Sequence, residues 1–313
     1  MSAQALVGCR IVLRYRLAAA TSGPSHSDLV GELTELTDDS ATVLTRRGPV
    51  TVARSSVAIM RPIAASRREI LDLERICRRG WRSLEQVELD GWLLFADRGW
   101  TGRANSVLPL RTPAKPLEAM LDAARSFYAE RGLPLQIQLP LPARGLLDAE
   151  LASRCWQVER SSVVLTADLG ALAGRDLDGS YRIEQSDRPG PDWLASYHYR
   201  GQPLPAHAAQ LLGRHDRVRF ITISADGEPV AIARGAVDEG WLGASSVEVA
   251  PGHRRRGLAS ALMGLLAVWA TGQGAQHCYL QVDQVNQAAL ALYAGLGFRE
   301  HHRYHYRVEP TAG

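Results

Sequence analysis

The sequence predicts an α/β protein in which a small β-barrel precedes two consecutive α/β units. Three observations carry this prediction. Residues 1–65 contain short strand-like runs and no helical periodicity, and strands alternate with helices in the rest of the chain. Two stretches of that later region also align with each other at one fixed spacing. A chain of 313 residues is long enough to bury several cores.

Residues 1–65 are expected to form the barrel. Glycine, proline, serine and aspartate punctuate this region, as turns require. Between the turns lie four strand-like runs: RIVLRYRL, LVGELTEL, ATVLTRR and PVTVARSSVAIM. Four or five short strands without a helix favour a closed or partly open barrel of the SH3-like or Sm-like kind.

The α/β region divides into units at 66–175 and 176–313, with a seam in the glycine- and aspartate-rich segment 171–182. One ungapped shift along the chain superimposes a strand end, a helix, a helix stop and a second strand start. The matched pairs are Val107 with Val249, Pro109 with Pro251, Leu117 with Ala259, Phe127 with Trp269, Gly132 with Gly274, and Trp156 with Phe298. The shift predicts a duplicated fold. The alternative is that any two strand–helix–strand segments can be aligned in this way.

Composition excludes several classes of protein. A net charge of +3 is too small for a polyanion-binding protein of this length. The four cysteines are far apart and form no C-x-x-C pair, so they predict neither a disulfide framework nor a metal site. The N-terminus lacks a signal-peptide pattern and no apolar run reaches about 18 residues. We therefore expect a cytoplasmic protein without a membrane segment.

The segment VEVAPGHRRRGLASALM, residues 247–263, joins a strand to a helix through three consecutive arginines. A helix start presents unpaired N–H groups and a partial positive charge, so this loop is an expected site for a phosphate or diphosphate. Neither the P-loop pattern nor the dinucleotide-binding glycine pattern is present, which argues against nucleotide hydrolysis and hydride transfer. The alternative is an ordinary solvated helix start.

A second motif, YLQVDQVNQAALALYAGLGFRE, follows that helix, and in it Asn286 is a candidate helix cap. Together, V-x-V-x-P-x-x-R-R-x-G-L-A and L-x-V-x-x-x-N-x-x-A-x-x-L-Y-x-x-x-G-F resemble the acetyl-coenzyme A-binding core of the GNAT acyltransferase superfamily. The resemblance is close over 247–298 and covers 181–313 in outline, and it implies tandem units with mixed sheets. The arrangement of barrel and tandem units resembles an actinobacterial GNAT subgroup.

The resemblance implies a set of site residues. The pyrophosphate of acetyl-coenzyme A, the cosubstrate, would lie in the loop formed by Arg254, Arg255, Arg256, Gly257, Leu258 and Ala259. The backbones of Val247 and Val249 would pair with pantetheine, and an N–H near Val249 would polarise the thioester carbonyl. Asn286 would lie beside the pantetheine arm, and Tyr293 would protonate the departing thiolate. The alternative for Tyr293 is a core aromatic.

The general base is less clearly indicated. Some relatives use a glutamate on the strand before the asparagine, but this chain has Gln281 there. Glu248 is the next candidate, although the alternation of a strand points its side chain away from those of Val247 and Val249. Asp238, Glu239 and Asp283 are weaker candidates. For each of these acids, a simple surface carboxylate is the competing interpretation.

The first unit lacks the corresponding residues. At the shift that matches Pro109 with Pro251, Thr112 and Pro113 replace the first two arginines, Lys115 replaces Gly257, and Leu151 replaces Tyr293. We expect a degenerate unit that completes the acceptor pocket or stabilises its neighbour.

Two segments are candidates for acceptor recognition. In the last strand, FREHHRYHYRV, alternation places arginines and histidines on one face, which would favour an anionic acceptor if it lined the pocket and would otherwise be a charged edge. In 192–216, the aromatic side chains can contact a substrate or pack on the sheet; they are Trp193, Tyr197, His198 and Tyr199.

The predicted function is transfer of an acetyl group from acetyl-coenzyme A to a primary amine of a small molecule or a protein, directly within a ternary complex. One alternative is a noncatalytic acyl-coenzyme A sensor, suggested by the missing base. Another is a nucleic-acid or protein adaptor acting through the barrel. Its charge of +2 and single aromatic, Tyr15, make nucleic acid the weaker expectation.

Overall fold

The computed structural model describes residues 3–17, 25–172, 174, 176–198 and 201–310. The chain forms two compact units, Met1–Ser66 and Arg67–Gly313, and each is described by itself.

The first unit is a five-stranded antiparallel sheet with its own apolar core. The strands are β1 (Arg10–Arg16), β2 (His26–Leu36), β3 (Ser40–Thr45), β4 (Gly48–Ala53) and β5 (Val57–Pro62). Their order is β4-β3-β2-β1-β5, and the 3₁₀ turn Arg54–Ser56 divides the last strand-like run into β4 and β5. Ile11, Leu13 and Leu33 are fully buried in the core. The predicted unit of short strands is thereby confirmed.

The second unit alternates helices with strands. Its first half contains α1 (Arg67–Arg79), β6 (Glu85–Leu89), β7 (Trp92–Ala96), β8 (Val107–Pro109), α2 (Leu117–Ala129), β9 (Gln136–Leu141), α3 (Gly145–Ser153) and β10 (Gln157–Asp168). Its second half contains β11 (Tyr181–Ser186), α4 (Pro191–Ser196), α5 (Ala208–Gly213), β12 (Val218–Ala225), β13 (Glu228–Asp238), β14 (Trp241–Val249), α6 (Leu258–Gly272), β15 (His277–Asp283), α7 (Gln287–Gly295) and β16 (Arg299–Val308).

The duplication predicted from the sequence is visible in the element bounds. The shift that matches Pro109 with Pro251 also matches both ends of α3 with both ends of α7, and the first residue of β10 with that of β16. Gly132 and Gly274, the matched helix stops, both have positive φ, at 62° and 82°. A positive φ favours glycine, so the same residue type ends the two equivalent helices for the same reason. The tandem mixed-sheet architecture is confirmed.

The two halves share one sheet of eleven strands and exchange their last strands. The order is β11-β12-β13-β14-β15-β10-β16-β9-β8-β7-β6. Strand β10 of the first half lies between β15 and β16, and β16 of the second half lies between β10 and β9. Each half therefore completes the sheet of the other.

Candidate active site

The candidate site begins where β14 and β15 separate. Their parallel pairing covers three residue pairs, from Trp241–His277 to Gly243–Tyr279. The hydroxyl of Tyr279 lies at this point, so close to Gly243 that a Cβ there would come within 2.3 Å of it. Beyond this pair the strands diverge, and a pocket lies in the opening. Its walls include Ser245 and Ser246 of β14 and Gln281 of β15.

A β-bulge in β14 lies beside this opening. Ile232 pairs with Glu248, but Arg234, two residues later, pairs with Ser245, so β14 carries one extra residue at this point. Ser246 has φ of 53°. A bulge leaves backbone groups outside the ladder and re-aims the strand. The bulge therefore leaves Ser246 and Val247 outside the pairing of β14 with β13.

The start of α6 has the geometry of an anion site. Arg255 and Gly257 adopt left-handed conformations, with φ of 61° and 87°, and Gly257 caps α6 without a side-chain hydrogen bond. The side chains of Arg254, Arg255 and Arg256 are exposed, while Leu258 is buried beneath them. Uncapped N–H groups beside three guanidinium groups suit a diphosphate.

Residues of α7 border the same side of the sheet. The side-chain oxygen of Asn286 accepts a hydrogen bond of 3.1 Å from the backbone N–H of Ala289, as the predicted cap requires. Tyr293 is 7% exposed, lies in the core between the sheet and α6, and packs edge-on against Phe298. Burial raises the pKa of the Tyr293 phenol above its usual value. This phenol is therefore neutral near pH 7.

Glu248 points away from the core that its neighbours contact. Val247 and Val249 pack against the cluster around α6. The carboxylate of Glu248 accepts hydrogen bonds of 3.1 and 3.2 Å from the backbone N–H of His198, and one oxygen lies 3.5 Å from the His198 ring. Glu248 is therefore paired with the segment that follows α4.

The weaker acid candidates have other partners. Glu239 forms a bidentate ion pair with Arg75 at 2.6 and 2.7 Å, which holds the pKa of Glu239 below its usual value. Asp238 lies 3.5 Å from Arg79. Both acids belong to the end of the β13–β14 hairpin, away from the bulge. Asp283 accepts from the backbone N–H of Val285 within its own turn.

The first half forms one wall of the pocket, as expected for a unit that completes it. Gly80, Trp81 and Arg103 are among the lining residues. Arg103 donates to the side-chain oxygen of Gln281 at 2.7 Å and lies over the ring of Trp81. The sequence did not single out these residues, because they are far from β14 in the chain and carry no recognisable motif.

Comparison with known proteins identifies the family. Residues 67–307 match the family model "Probable histone acetyltransferase Rv0428c C-terminal", and residues 5–61 match "Rv0428c N-terminal Sm-like domain". The chain is 32% identical to the "Probable histone acetyltransferase Rv0428c" of Mycobacterium tuberculosis, with 98% of this chain and 97% of that protein covered. This chain belongs to the Rv0428c family of GNAT acetyltransferases.

Solved structures show the same fold. A GCN5-related N-acetyltransferase from Kribbella flavida has a TM-score of 0.59 at 18% identity and covers 78% of this chain and 96% of its own. A tandem GNAT protein from the clavulanic acid biosynthesis pathway has a TM-score of 0.54 at 13% identity, covering 78% and 89%. The protein is an acetyltransferase, and its reaction is acyl transfer.

The last strand of this Rv0428c-family chain is more buried than its alternation predicts. His301 is an extra residue in the pairing of β16 with β10, so the alternation is interrupted. His305 and Arg307 both contact Asp148 of α3 at 2.7 Å. His302 is fully buried against Glu74 at 2.8 Å. On the face expected to be cationic, His305 and Arg307 therefore share one carboxylate of the first half, while Arg303 pairs with Glu300 of its own strand.

The aromatic residues of segment 192–216 divide between the core and the pocket. Trp193 is buried and donates to the carbonyl of Ala233 at 3.1 Å. Tyr197 lines the pocket, and His198 contacts Glu248. Tyr199 lies outside the described residues.

The equivalent opening of the first half is filled by an arginine. Arg144 is the residue that the internal shift matches with Asn286. It is 6% exposed and donates to the carbonyl of Pro109 at 2.6 Å. Pro109 in turn corresponds to Pro251. A long side chain therefore crosses the place that the short Asn286 leaves open.

Membrane-spanning helices and metal clusters are both absent from the part of the chain that the structure describes. No helix among the described residues has the length and apolar character needed to cross a membrane. Within the same residues, no three potential metal ligands come together.

Proposed function

We propose that this acetyltransferase moves an acetyl group from acetyl-coenzyme A to a primary amine, directly within a ternary complex. One observation carries the proposal: β14 pairs with β15 over only three residues, and the chain beyond β14 runs to the uncapped start of α6, where three consecutive arginines are exposed and Arg255 and Gly257 are left-handed. A diphosphate and an extended arm match these two features in chemistry and in order along the chain.

The proposed donor site lies in the second half alone. Backbone groups of Val247 and Val249 would hold the pantetheine, and the loop from Arg254 to Ala259 would hold the pyrophosphate. Asn286 would border the arm. The buried Arg144 in the equivalent place of the first half supports a single site, because its side chain occupies the opening there.

Tyr293 and the bulged strand supply the chemistry. The amine nitrogen attacks the thioester carbonyl, the carbon–sulfur bond breaks, and the products are an amide and a thiol. A backbone N–H near Val249 stabilises the negative charge that develops on the carbonyl oxygen. Tyr293 donates its phenolic proton to the departing sulfur.

We propose Glu248, with His198, as the acceptor of the proton that the ammonium form of the amine must lose. Glu248 belongs to the strand that borders the opening. It contacts His198, which directly follows the pocket residue Tyr197 in the chain. A water between amine and carboxylate would complete the path.

The acceptor class that we propose is a primary amine of a small molecule or of a protein. The name of the Mycobacterium tuberculosis relative mentions histone, which would correspond to a protein amino group.

All four cysteines are free, which supports a reducing compartment such as the cytoplasm. For the barrel we propose structural support rather than nucleic-acid binding. Residues 1–65 contain seven arginines and five acids, so their net charge is small, and Tyr15 is their only aromatic residue.

Calorimetric titration with acetyl-coenzyme A tests the donor site. We expect one equivalent to bind wild type and none to bind Gly257→Glu, whose side chain would repel the pyrophosphate and strain a residue at φ of 87°. Lys115→Glu places the same side chain at the equivalent position of the first half and should bind like wild type. Binding that survives Gly257→Glu, or that is lost in Lys115→Glu, would contradict the assignment.

A further inference from the structure

The pocket between β14 and β15 contains a buried arginine whose hydrogen-bond acceptors among the described residues are neutral. Arg234 of β13 is 1% exposed. Its guanidinium donates to the carbonyls of Leu212 and Gly80, each at 2.9 Å, and to the hydroxyl of Ser245 at 3.4 Å. A guanidinium has five N–H donors, so these three acceptors leave each terminal nitrogen with a donor for a ligand.

A second arginine lines the pocket and adds to its positive charge. Arg103 lines the same pocket, and the rings of Trp81 lie against both guanidinium groups, 5.1 Å from Arg234 and 5.5 Å from Arg103. No acid is among the lining residues in the described part of the chain.

Acids of the neighbouring elements are engaged elsewhere. Glu248 accepts from the backbone N–H of His198. Glu74 of α1 accepts from Gln138 at 2.7 Å and contacts His302 at 2.8 Å. Asp238 lies near Arg79 and His215 at the end of the hairpin. The charge of Arg234 is therefore not compensated by a carboxylate of these elements.

Burying a guanidinium in this way is costly. Burial lowers the pKa of Arg234 to about 10, so the group is still charged at pH 7. A buried charge is usually compensated by an opposite charge or a metal. A planar guanidinium is matched best by a carboxylate, which takes two parallel N–H···O bonds. A ligand that brings a carboxylate into the pocket would supply the missing partner.

We propose that the acceptor is an amine that also carries a carboxylate, as an amino acid does, and that Arg234 and Arg103 bind that carboxylate. This inference rests on the proposed function and narrows its acceptor class. A free lysine side chain of a polypeptide or a polycationic amine lacks the negative group that this pocket requires. The carboxylate would also fix the position of the amine relative to the bulge of β14.

Matched acceptor pairs test the inference. We would compare L-amino acids with the corresponding L-amino acid amides, which keep the amine and lose the negative charge, following release of the coenzyme A thiol. We expect kcat/KM of wild type to favour the acids by about tenfold or more, the usual range for a hydrogen bond to a charged group. Equal rates for acids and amides, or faster reaction of the amides, would overturn the inference.

Variants at the two arginines locate the effect. Arg103→Gln and Arg234→Gln should raise KM for the acids about tenfold or more and raise KM for the amides much less, with Arg79→Gln as an arginine control outside the pocket. Loss of kcat that is equal for acids and amides would show that these arginines act on the thioester, and would overturn the inference. If Arg234→Gln fails to fold, as judged by its melting curve, the inference is tested by Arg103→Gln and by the ratio of kcat/KM for acids and amides in wild type.

The donor titration separates this inference from the proposed function. Tight binding of acetyl-coenzyme A with turnover of amides only would reject the carboxylate and keep the acetyltransferase site. Absence of both binding and turnover in the folded wild-type protein would reject the two together.

Discussion

Tyr293 is a phenol whose surroundings keep it protonated. It is 7% exposed, Phe298 packs against its ring, and burial raises its pKa. Burial keeps this phenol neutral at pH 7, and the raised pKa also makes it a weaker acid than an exposed tyrosine. A core aromatic and an acid catalyst are compatible roles for this side chain.

Replacing Tyr293 with phenylalanine removes the proposed proton donor and keeps the ring. We expect kcat to fall about 100-fold or more, the range of a lost general acid, while calorimetric binding of acetyl-coenzyme A stays unchanged. Tyr181→Phe, a half-buried tyrosine packed on the same core, serves as the control and should be fully active. Wild-type turnover in Tyr293→Phe would leave only the core role.

His215 gives the second unit a dependence on acid. Burial, with Arg82 and Arg234 nearby, lowers the pKa of His215 to about 4, against the opposing effect of Asp238 and Asp216. Between pH about 6.5 and about 4, the unfolded chain binds a proton at this residue and the folded protein does not. The free energy of unfolding should therefore fall as the pH drops through this interval.

Between pH 7.5 and pH 5, we expect His215 to lower the free energy of unfolding by on the order of 2 kcal/mol. Thermal midpoints of wild type and His215→Gln at pH 7.5 and pH 5 would measure it. We expect the variant to lose less stability between these two pH values than wild type. His26→Gln, an exposed histidine of the other unit, should behave like wild type. Parallel losses in wild type and His215→Gln would show that other groups cause the acid sensitivity.

Among the elements, the opening between β14 and β15 depends on a contact of two residues. The hydroxyl and ring of Tyr279 lie against Gly243, and the same hydroxyl lies 2.7 Å from where a Cβ of Gly80 would be. Glycine is required at Gly243 for close approach of a side chain. Tyr279 thereby occupies the point at which the two strands begin to diverge.

Gly243→Ala should disturb this point. Its Cβ would lie 2.3 Å from the Tyr279 hydroxyl, so the ring must move within a buried site. We expect a loss of about 1–3 kcal/mol in the free energy of unfolding, as for other overpacked cores, and a higher KM for the acceptor. Gly179→Ala, where no atom lies within 4 Å, is the control. Unchanged unfolding and kinetics in Gly243→Ala would show that the site tolerates displacement of Tyr279.

Across the whole second unit, the exchange of β10 and β16 makes the two halves interdependent. Strand β15 pairs with seven residues of β10, from Ser162 to Asp168. Without the first half, β15 would expose an unpaired edge and β16 would lose both of its neighbours, β10 and β9. The two units predicted for this region thus share one sheet.

Residues 176–313 produced alone should therefore not fold into a stable monomer. We expect aggregation or a non-cooperative melting curve by circular dichroism, whereas 67–313 should unfold cooperatively. Coexpression of 67–175 with 176–313 is the matched test, since it restores both exchanged strands. A monomeric, cooperatively folded 176–313 would show that the exchange is dispensable.

Features that depend on neighbours in the chain could be predicted from the sequence alone. The strand runs of the barrel, the internal repeat, the Asn286 cap and the loop from Arg254 to Ala259 are local patterns of spacing, turn chemistry and helix ends. The same local physics acts wherever such patterns occur, which is why these features were predictable.

Contacts between distant residues were visible only in the folded chain. In the folded chain, Trp81 and Arg103 line the pocket of the second half. His305 and Arg307 contact Asp148, and Arg144 donates to a carbonyl at the end of β8. The alternation of the last strand was misleading because a bulge at His301 interrupts the period of two and because the successive residues Tyr304, His305 and Tyr306 are all buried. Such contacts follow from packing two halves into one sheet, and the energy of that packing is not encoded in any single local segment.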